Sequence, residues 1–282
     1  MPILSTKAAR WMLLPGCALL AITLVGPLLT TLVFSLGERA ANGGYQPALT
    51  LTNFIDIATR SSAYLSTLKL AGLGAAACAL VGMPVAYFIA KRLTGPWRFI
   101  MLFLVVLPFF TSFVARTYAW YFILGGRGLP ALLDWMGFGR FRLLNSEPAV
   151  FAGVVYAYLP IMILTLFIAF DRVGNDLIEA SYDLGRGRIE TVFSVVLPLA
   201  LPGIISGYTL VFMLLSGEYL IPMLLGGGKV YFIGNAIVDL FLQSRNWPLG
   251  SAIAITLVLM LTLAATLSQI AQRATTHADR AD

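Results

Sequence analysis

The sequence predicts an all-α membrane protein with six transmembrane helices, and three observations carry that reading. Of 282 residues, 59% are hydrophobic and 11% charged, with a mean hydropathy of +0.86; a soluble domain carries about 25% charged residues. The apolar residues are gathered into long blocks, each matching the roughly 20 residues that cross a bilayer. Between the blocks lie connections of unequal length, with no low-complexity stretch, internal repeat or separate soluble domain.

The blocks run over residues 11–36, 65–90, 98–124, 149–170, 203–225 and 249–271. The first follows Lys7 and Arg10, and at about 26 residues it exceeds the roughly 7–15 apolar residues of a cleaved signal. It therefore reads as an uncleaved span. Three regions result: 1–64, a tail with the first span and an outer loop; 65–271, a five-helix core that includes a long connection over 171–202; and 272–282, a second tail. An even number of spans puts both termini on one side. Lys91, Arg92 and Arg98 crowd one tight turn on that side, where short basic loops favour the cytoplasm, so both termini are expected to be cytoplasmic.

Within the spans, Gly72, Gly74, Ala75, Ala76 and Ala77 give the second block a small-residue face suited to close helix packing. Pro84, Pro108 and Pro222 interrupt other spans, which membranes tolerate where neighbours or a cavity satisfy the freed backbone groups. Residues 230–243 are apolar but too short to span, and are expected to be re-entrant or to lie on the bundle.

The same sequence excludes several function classes. The net charge of +6 is scattered and forms no basic stripe, which argues against nucleic acid. Cys17 and Cys78 lie in apolar blocks and His277 lies in the tail, so no disulfide framework or metal-ligand set is expected. Gly226-Gly227-Gly228-Lys229 is followed by Val230 and makes no phosphate-binding loop. The absence of G-x-S-x-G, H-E-x-x-H and a clustered acid/base pair argues against a membrane-embedded enzyme.

The connection 171–202 is long and mixed in polarity. Asp176 followed by Glu179 reads as a helix-starting pair. Leu177, Ala180, Ser181 and Leu184 fall on one helical face, and Gly185 is placed to end the helix. Such a helix can rest on lipid or on its own bundle. The small Ala180 and Ser181, with acidic Asp176, Glu179, Asp183 and Glu190, favour a protein partner over anionic lipid.

Here the chain resembles a known family. Glu179-Ala180-Ser181, three residues, Gly185, nine residues, Val195, one residue and Leu197-Pro198 are similar to the signature loop of ABC-importer permeases. That signature reads Glu-Ala-Ala, three, Gly, nine, Ile, one, Leu-Pro; Ser181 and Val195 are its two departures here. Leu107 to Ser112, Arg116 to Trp120, Gly217 to Gly227 and Asn246 to Ala252 resemble the spermidine/putrescine-type branch, and the longer N-terminal region resembles the first of that branch's two permeases.

The resemblance implies a type I ABC importer permease-like fold in a bacterial inner membrane, with a cytoplasmic coupling helix over about Leu177 to Leu184. It implies a cytoplasmic ATPase dimer that binds ATP and Mg, a second permease subunit, an extracytoplasmic substrate-binding protein, a small-molecule substrate and surrounding lipid. This chain itself needs no cofactor. Polyamines are the first expectation for the solute, with other amines, opines or aminophosphonates as alternatives. A stand-alone secondary transporter is the remaining rival, which the coupling loop argues against.

Charges inside the spans mark a solute route or a structural pair. Glu218 is expected about 15 residues into the fifth span, or about 22 Å along it. It reads either as a cation-attracting group, with Tyr219, Tyr118, Trp120 or Tyr121 offering an aromatic face, or as a partner of Arg116 or a cap on broken backbone. The aromatics fit an interfacial belt equally. Arg116 reads as snorkelling, structural or paired, Lys69 reads as snorkelling, and Asp239 is a further path candidate.

Overall fold

The structure is a computed structural model that describes residues 6–58, 61–139 and 141–278. The outermost parts of the two expected tails, 1–5 and 279–282, lie outside the described residues. The chain divides into two compact units. One takes the described residues up to 61 together with 236–259; the other takes 62–235 and the described residues from 260. Among the described residues, five helices are long and apolar enough to cross a membrane, and the count is six when one bent pair is taken as a single span.

The first unit holds the apolar helix α1 (Leu13–Ser35), whose most apolar stretch has none of its residues buried. A π-turn over Ala21–Val25 widens it midway, and Thr23 donates to the Leu19 carbonyl at 2.8 Å, so the wide turn leaves that carbonyl a partner where lipid offers none. Past its end, β1 (Glu38–Arg39) pairs antiparallel with β2 (Tyr45–Gln46), and α2 (Thr52–Ala58) follows. Phe34 stacks on Tyr45 and on Trp247, while Arg39 donates to the Ser244 carbonyl at 2.7 Å.

The second unit contains the core. Its helices are α3 (Ser61–Lys91), α4 (Pro96–Phe110), α5 (Phe113–Leu124), α6 (Leu129–Trp135), α7 (Glu147–Asp171), α8 (Asn175–Asp183), α9 (Arg188–Ser216) and α10 (Leu220–Leu225). Helices α11 (Ile233–Leu242) and α12 (Trp247–Ala278) each have residues in both units. Ala75, Cys78 and Ala86 of α3, Met162 and Leu166 of α7, and Val196 and Val211 of α9 are fully buried together. The small-residue face of α3 is realised at Gly74 and Ala75, where a Cβ on Gly74 would stand 3.0 Å from Leu215.

Two spans differ from expectation. The third is broken: the axis bends by 87° between Pro96–Phe110 and Phe113–Trp135. Pro108 opens a 3₁₀ turn over Leu107–Phe110, Thr111 is extended, and Ser112 restarts the helix by accepting from the Ala115 amide at 3.4 Å. The fifth helix starts at Arg188, well before residue 203, so the connection 171–202 shrinks to its first half. A π-turn over Val192–Val196, in which the Leu197 amide donates to the Val192 carbonyl, precedes Pro198, and the helix runs on through Pro202.

The α7–α9 contact is close enough to demand glycine. A Cβ on Gly203 would lie 2.4 Å from the Ala169 Cβ, and one on Gly207 would lie 2.5 Å from Thr165 Oγ1. Gly203→Val is expected to destabilise the solubilised chain by about 1–3 kcal/mol, seen as a lower thermal midpoint. Gly16→Val, whose Cβ meets nothing within 4 Å, serves as the control. Equal midpoints for the two variants would contradict this packing.

Candidate functional site

The coupling segment forms at the end of the bundle where α3 finishes and α4 begins. Lys91, the last residue of α3, donates to the Val173 carbonyl and to Asn175 Oδ1, the latter at 3.2 Å. Arg98 of α4 pairs with Asp171 at the end of α7 and lies over the Phe167 ring at 4.8 Å. These contacts fix both the exit from α7 and the entry to α8. Such partly exposed pairs add little stability on their own; here they set position.

Helix α8 occupies Asn175–Asp183, close to the expected Leu177 to Leu184, with Leu184 as its C-cap residue. Gly174 is the N-cap, so Asp176 sits in the first turn and is not a capping partner of Glu179; its charge still favours the helix N-terminus. The helix ends in a Schellman motif. The Gly185 amide donates to the Tyr182 carbonyl at 2.9 Å and the Arg186 amide to the Ser181 carbonyl at 3.2 Å. Gly185 takes φ +83° with no atom near its missing Cβ, so its role is conformational.

The exposed face differs from the expected one at a single residue. Leu177 (49% exposed), Glu179, Ala180 and Leu184 (83% exposed) point away from the bundle. Ser181 is buried beside Ile178 and shares a 3.0 Å hydrogen bond with Thr191 of α9. It therefore fastens α8 to the next helix and is not available to a partner. Ser181 lies at the edge of the 177–184 stripe, and the turn after Gly185 carries Thr191 over that edge.

Glu218 is not inside a continuous span, because α9 stops at Ser216 and α10 starts at Leu220. Its side chain is buried, and Oε1 accepts from the amides of Tyr219, Leu220 and Ile221 at 3.0, 2.8 and 3.3 Å. Oε2 accepts from the Tyr158 hydroxyl of α7. The carboxylate thus caps the N-terminus of α10, where a negative charge also suits the helix dipole. Around it, Asn235 donates to the Tyr219 carbonyl at 2.8 Å, and Thr67 accepts from the Ile233 amide at 2.9 Å. A Cβ on Gly234 would strike the carbonyls of Glu218 and Gly217 at 2.8 and 2.9 Å, which requires glycine there.

Tyr158, Asn235 and Thr67 were not singled out from the sequence, although Asn235 is an amide in the middle of the apolar stretch 230–243. Arg116 does not pair with Glu218. Its guanidinium lies 5.5 and 5.7 Å from the rings of Phe109 and Phe113, and Nε and Nη1 are buried without an acceptor. Trp120 packs edge-on against Tyr156 and lines a small pocket with Arg116, Ile221 and Leu225. Tyr118 and Tyr219 are close to half exposed. In the other unit, Asp239 accepts from Gln243 Nε2 at 2.9 Å.

If the cap is structural, Glu218→Ala leaves three amides unsatisfied and lowers unfolding free energy by about 1–3 kcal/mol, and Tyr158→Phe by about 0.5–1.5 kcal/mol. Combined, they should cost less than their sum, because they share one carboxylate. Thermal melts of the three variants in one detergent measure this; unchanged midpoints would contradict the cap.

Comparison with known proteins matches this architecture. The family model described as the binding-protein-dependent transport system inner membrane component matches residues 79–277. The chain is 39% identical over 242 residues to the spermidine/putrescine transport system permease protein PotB of Haemophilus influenzae, covering 84% of each protein. It is 36% identical over 202 residues to PotB of Escherichia coli, covering 71% of this chain and 73% of that one. Among solved structures, a chain of the bacterial alginate ABC transporter superposes with a TM-score of 0.74 at 18% identity over 95% of this chain and 94% of that one. A chain of the MetNI methionine ABC transporter superposes at 0.58, with 17% identity over 76% and 95%. The fold is that of type I ABC importer permeases, and the chain belongs to the family of binding-protein-dependent transport system inner membrane components.

Proposed function

We propose that this chain is one of two permease subunits of an ATP-driven importer that carries a small polycationic solute, spermidine or putrescine being the first candidates, across a bacterial inner membrane. The similarity to the PotB permeases across 84% of both proteins carries the reading. The exposed Leu177, Glu179, Ala180 and Leu184 on a fastened helix support it from the structure. ATP and Mg belong to a separate cytoplasmic ATPase dimer, and an extracytoplasmic binding protein delivers the solute.

In this mechanism α8 is the coupling helix. ATP closes the ATPase dimer, and the groove that holds α8 moves with it. The contacts of α8 with α3 and α9 then carry the displacement into the spans, which open outward; hydrolysis returns them inward. Moving a two-state population from 1:99 to 99:1 takes about 5.5 kcal/mol of differential interaction, and only a helix held at both ends transmits such a bias. The basic residues Lys91, Arg92 and Arg98 share the end of the bundle that carries α8, which supports placing that end, and both termini, in the cytoplasm. The Glu218 carboxylate holds α10 at the break, and the half-exposed Tyr118 and Tyr219 are the better candidates for an aromatic face toward a cationic solute.

Affinity purification of the tagged chain from native membranes, followed by identification of the recovered subunits and an ATPase assay, tests the reading. Recovery of an ATPase and a second permease, with turnover raised by polyamine-loaded binding protein, is the expected result. A chain recovered intact without any ATPase would overturn it in favour of a secondary transporter. Ala180→Trp, on the exposed face of α8, should abolish ATPase recovery while leaving the melting curve unchanged. Gly185→Val should weaken recovery more mildly, because the left-handed position adds about 1–2 kcal/mol of strain at the helix end. Normal recovery of both variants would remove α8 from the contact.

A further inference from the structure

A cavity of about 410 Å³ opens where Ser66, Lys69 and Leu70 of α3 meet Glu147, the first residue of α7, and the segment Lys229 to Tyr231 that links α10 to α11. The opposite ends of α3 and α7, at Lys91 and Asp171, are those fastened around α8. Glu147 and Asp171 are separated by the whole length of α7, about 36 Å along the helix. The cavity therefore lies at the end of the bundle remote from the coupling helix.

Its walls carry two ammonium groups and one carboxylate, all on exposed side chains. Among the described residues, no ion pair joins Glu147 to Lys69 or Lys229. Lys229 is not on a free loop. Gly227 and Gly228 take φ +55° and +77°, the Lys229 amide donates to the Gly226 carbonyl at 3.0 Å, and a Cβ on Gly227 would strike the Asn145 side chain at 2.4 Å. Asn145 is itself tied by its amide to the Leu225 carbonyl at 2.9 Å. Two positive charges are thus held ready across an open cavity.

Resting on the importer reading above, we infer that this cavity is a socket for an acidic side chain on a loop of the substrate-binding protein. The net charge of the walls is positive, so a polyamine is repelled from it while a carboxylate is drawn in. Glu147, on the remaining wall, accepts from the backbone or side-chain donors that flank an acidic residue in a polypeptide loop. The volume admits one or two side chains. Such a contact aligns the binding protein over the permease and leaves the solute free to move on.

The test uses the complete importer in nanodiscs, with ATPase turnover followed as loaded binding protein is titrated. In Lys69→Glu/Lys229→Glu, the half-saturating binding-protein concentration should rise about tenfold at low salt, with basal and maximal turnover unchanged. The gap should narrow between about 0.05 and about 0.5 M salt as the charges are screened. Lys69→Gln/Lys229→Gln should fall between the two. Equal half-saturation for wild type and the charge-reversed variant would overturn the socket, and so would a half-saturation that follows the anionic-lipid content of the disc instead of the lysine charge. A wild-type assembly whose turnover ignores loaded binding protein altogether would instead overturn the functional reading itself.

Discussion

Backbone breaks inside a membrane protein are permitted only where every freed N–H and C=O finds a partner within the protein, and the organisation of this chain turns on how one such break is closed. Between Ser216 and Leu220 the helical ladder stops, and the Glu218 carboxylate takes three successive amides while receiving the Tyr158 hydroxyl from α7. This lets α10 set off on a new course. The carbonyls at the break are covered by Asn235 and approached by Gly234, so the start of α11 is placed by the same few groups. A charge that would be expensive in isolation becomes a fixed joint because both of its oxygens accept hydrogen bonds from the protein.

At the other end, α8 is tied directly to two helices, and a third contact fixes the chain that leads into it. Lys91 reaches it from α3, the Arg98–Asp171 pair holds the exit from α7, and the Ser181–Thr191 bond joins it to α9. None of these is a large energy, yet together they remove the slack between the exposed face of α8 and the spans. The close approach of Gly203 and Gly207 to α7 continues that stiffness along α9. In the proposed mechanism, these contacts are what would pass a displacement of α8 to the spans.

Much of this was legible from the sequence. Bulk hydropathy and block length gave the spans, and the spacing from Glu179 to Pro198 located α8 and its glycine stop. What was missed has physical causes. Pro108 reads as a kink, but the sharp bend also needs an extended Thr111 and the Ser112 cap. The fifth span reads as starting at residue 203 because hydropathy is mixed before it, and only the structure shows the helix running from Arg188 through a π-turn. Glu218 reads from the sequence as either a path charge or a cap on broken backbone, and the cap becomes visible only in the bonds to its next three amides and to Tyr158, sixty residues away. Ser181 sits at the edge of an amphipathic stripe, where periodicity cannot decide between a bundle contact and a partner contact.

The central claim is that transport by this chain is driven by ATP through a separate subunit. It is tested most directly by spermidine uptake into proteoliposomes that hold the purified complex, with loaded binding protein outside and ATP enclosed on the ATPase side. The account predicts accumulation against the solute gradient that stops when ATP or the binding protein is omitted and is indifferent to ion gradients. Accumulation driven by an ion gradient in liposomes that hold this chain without an ATPase would contradict it.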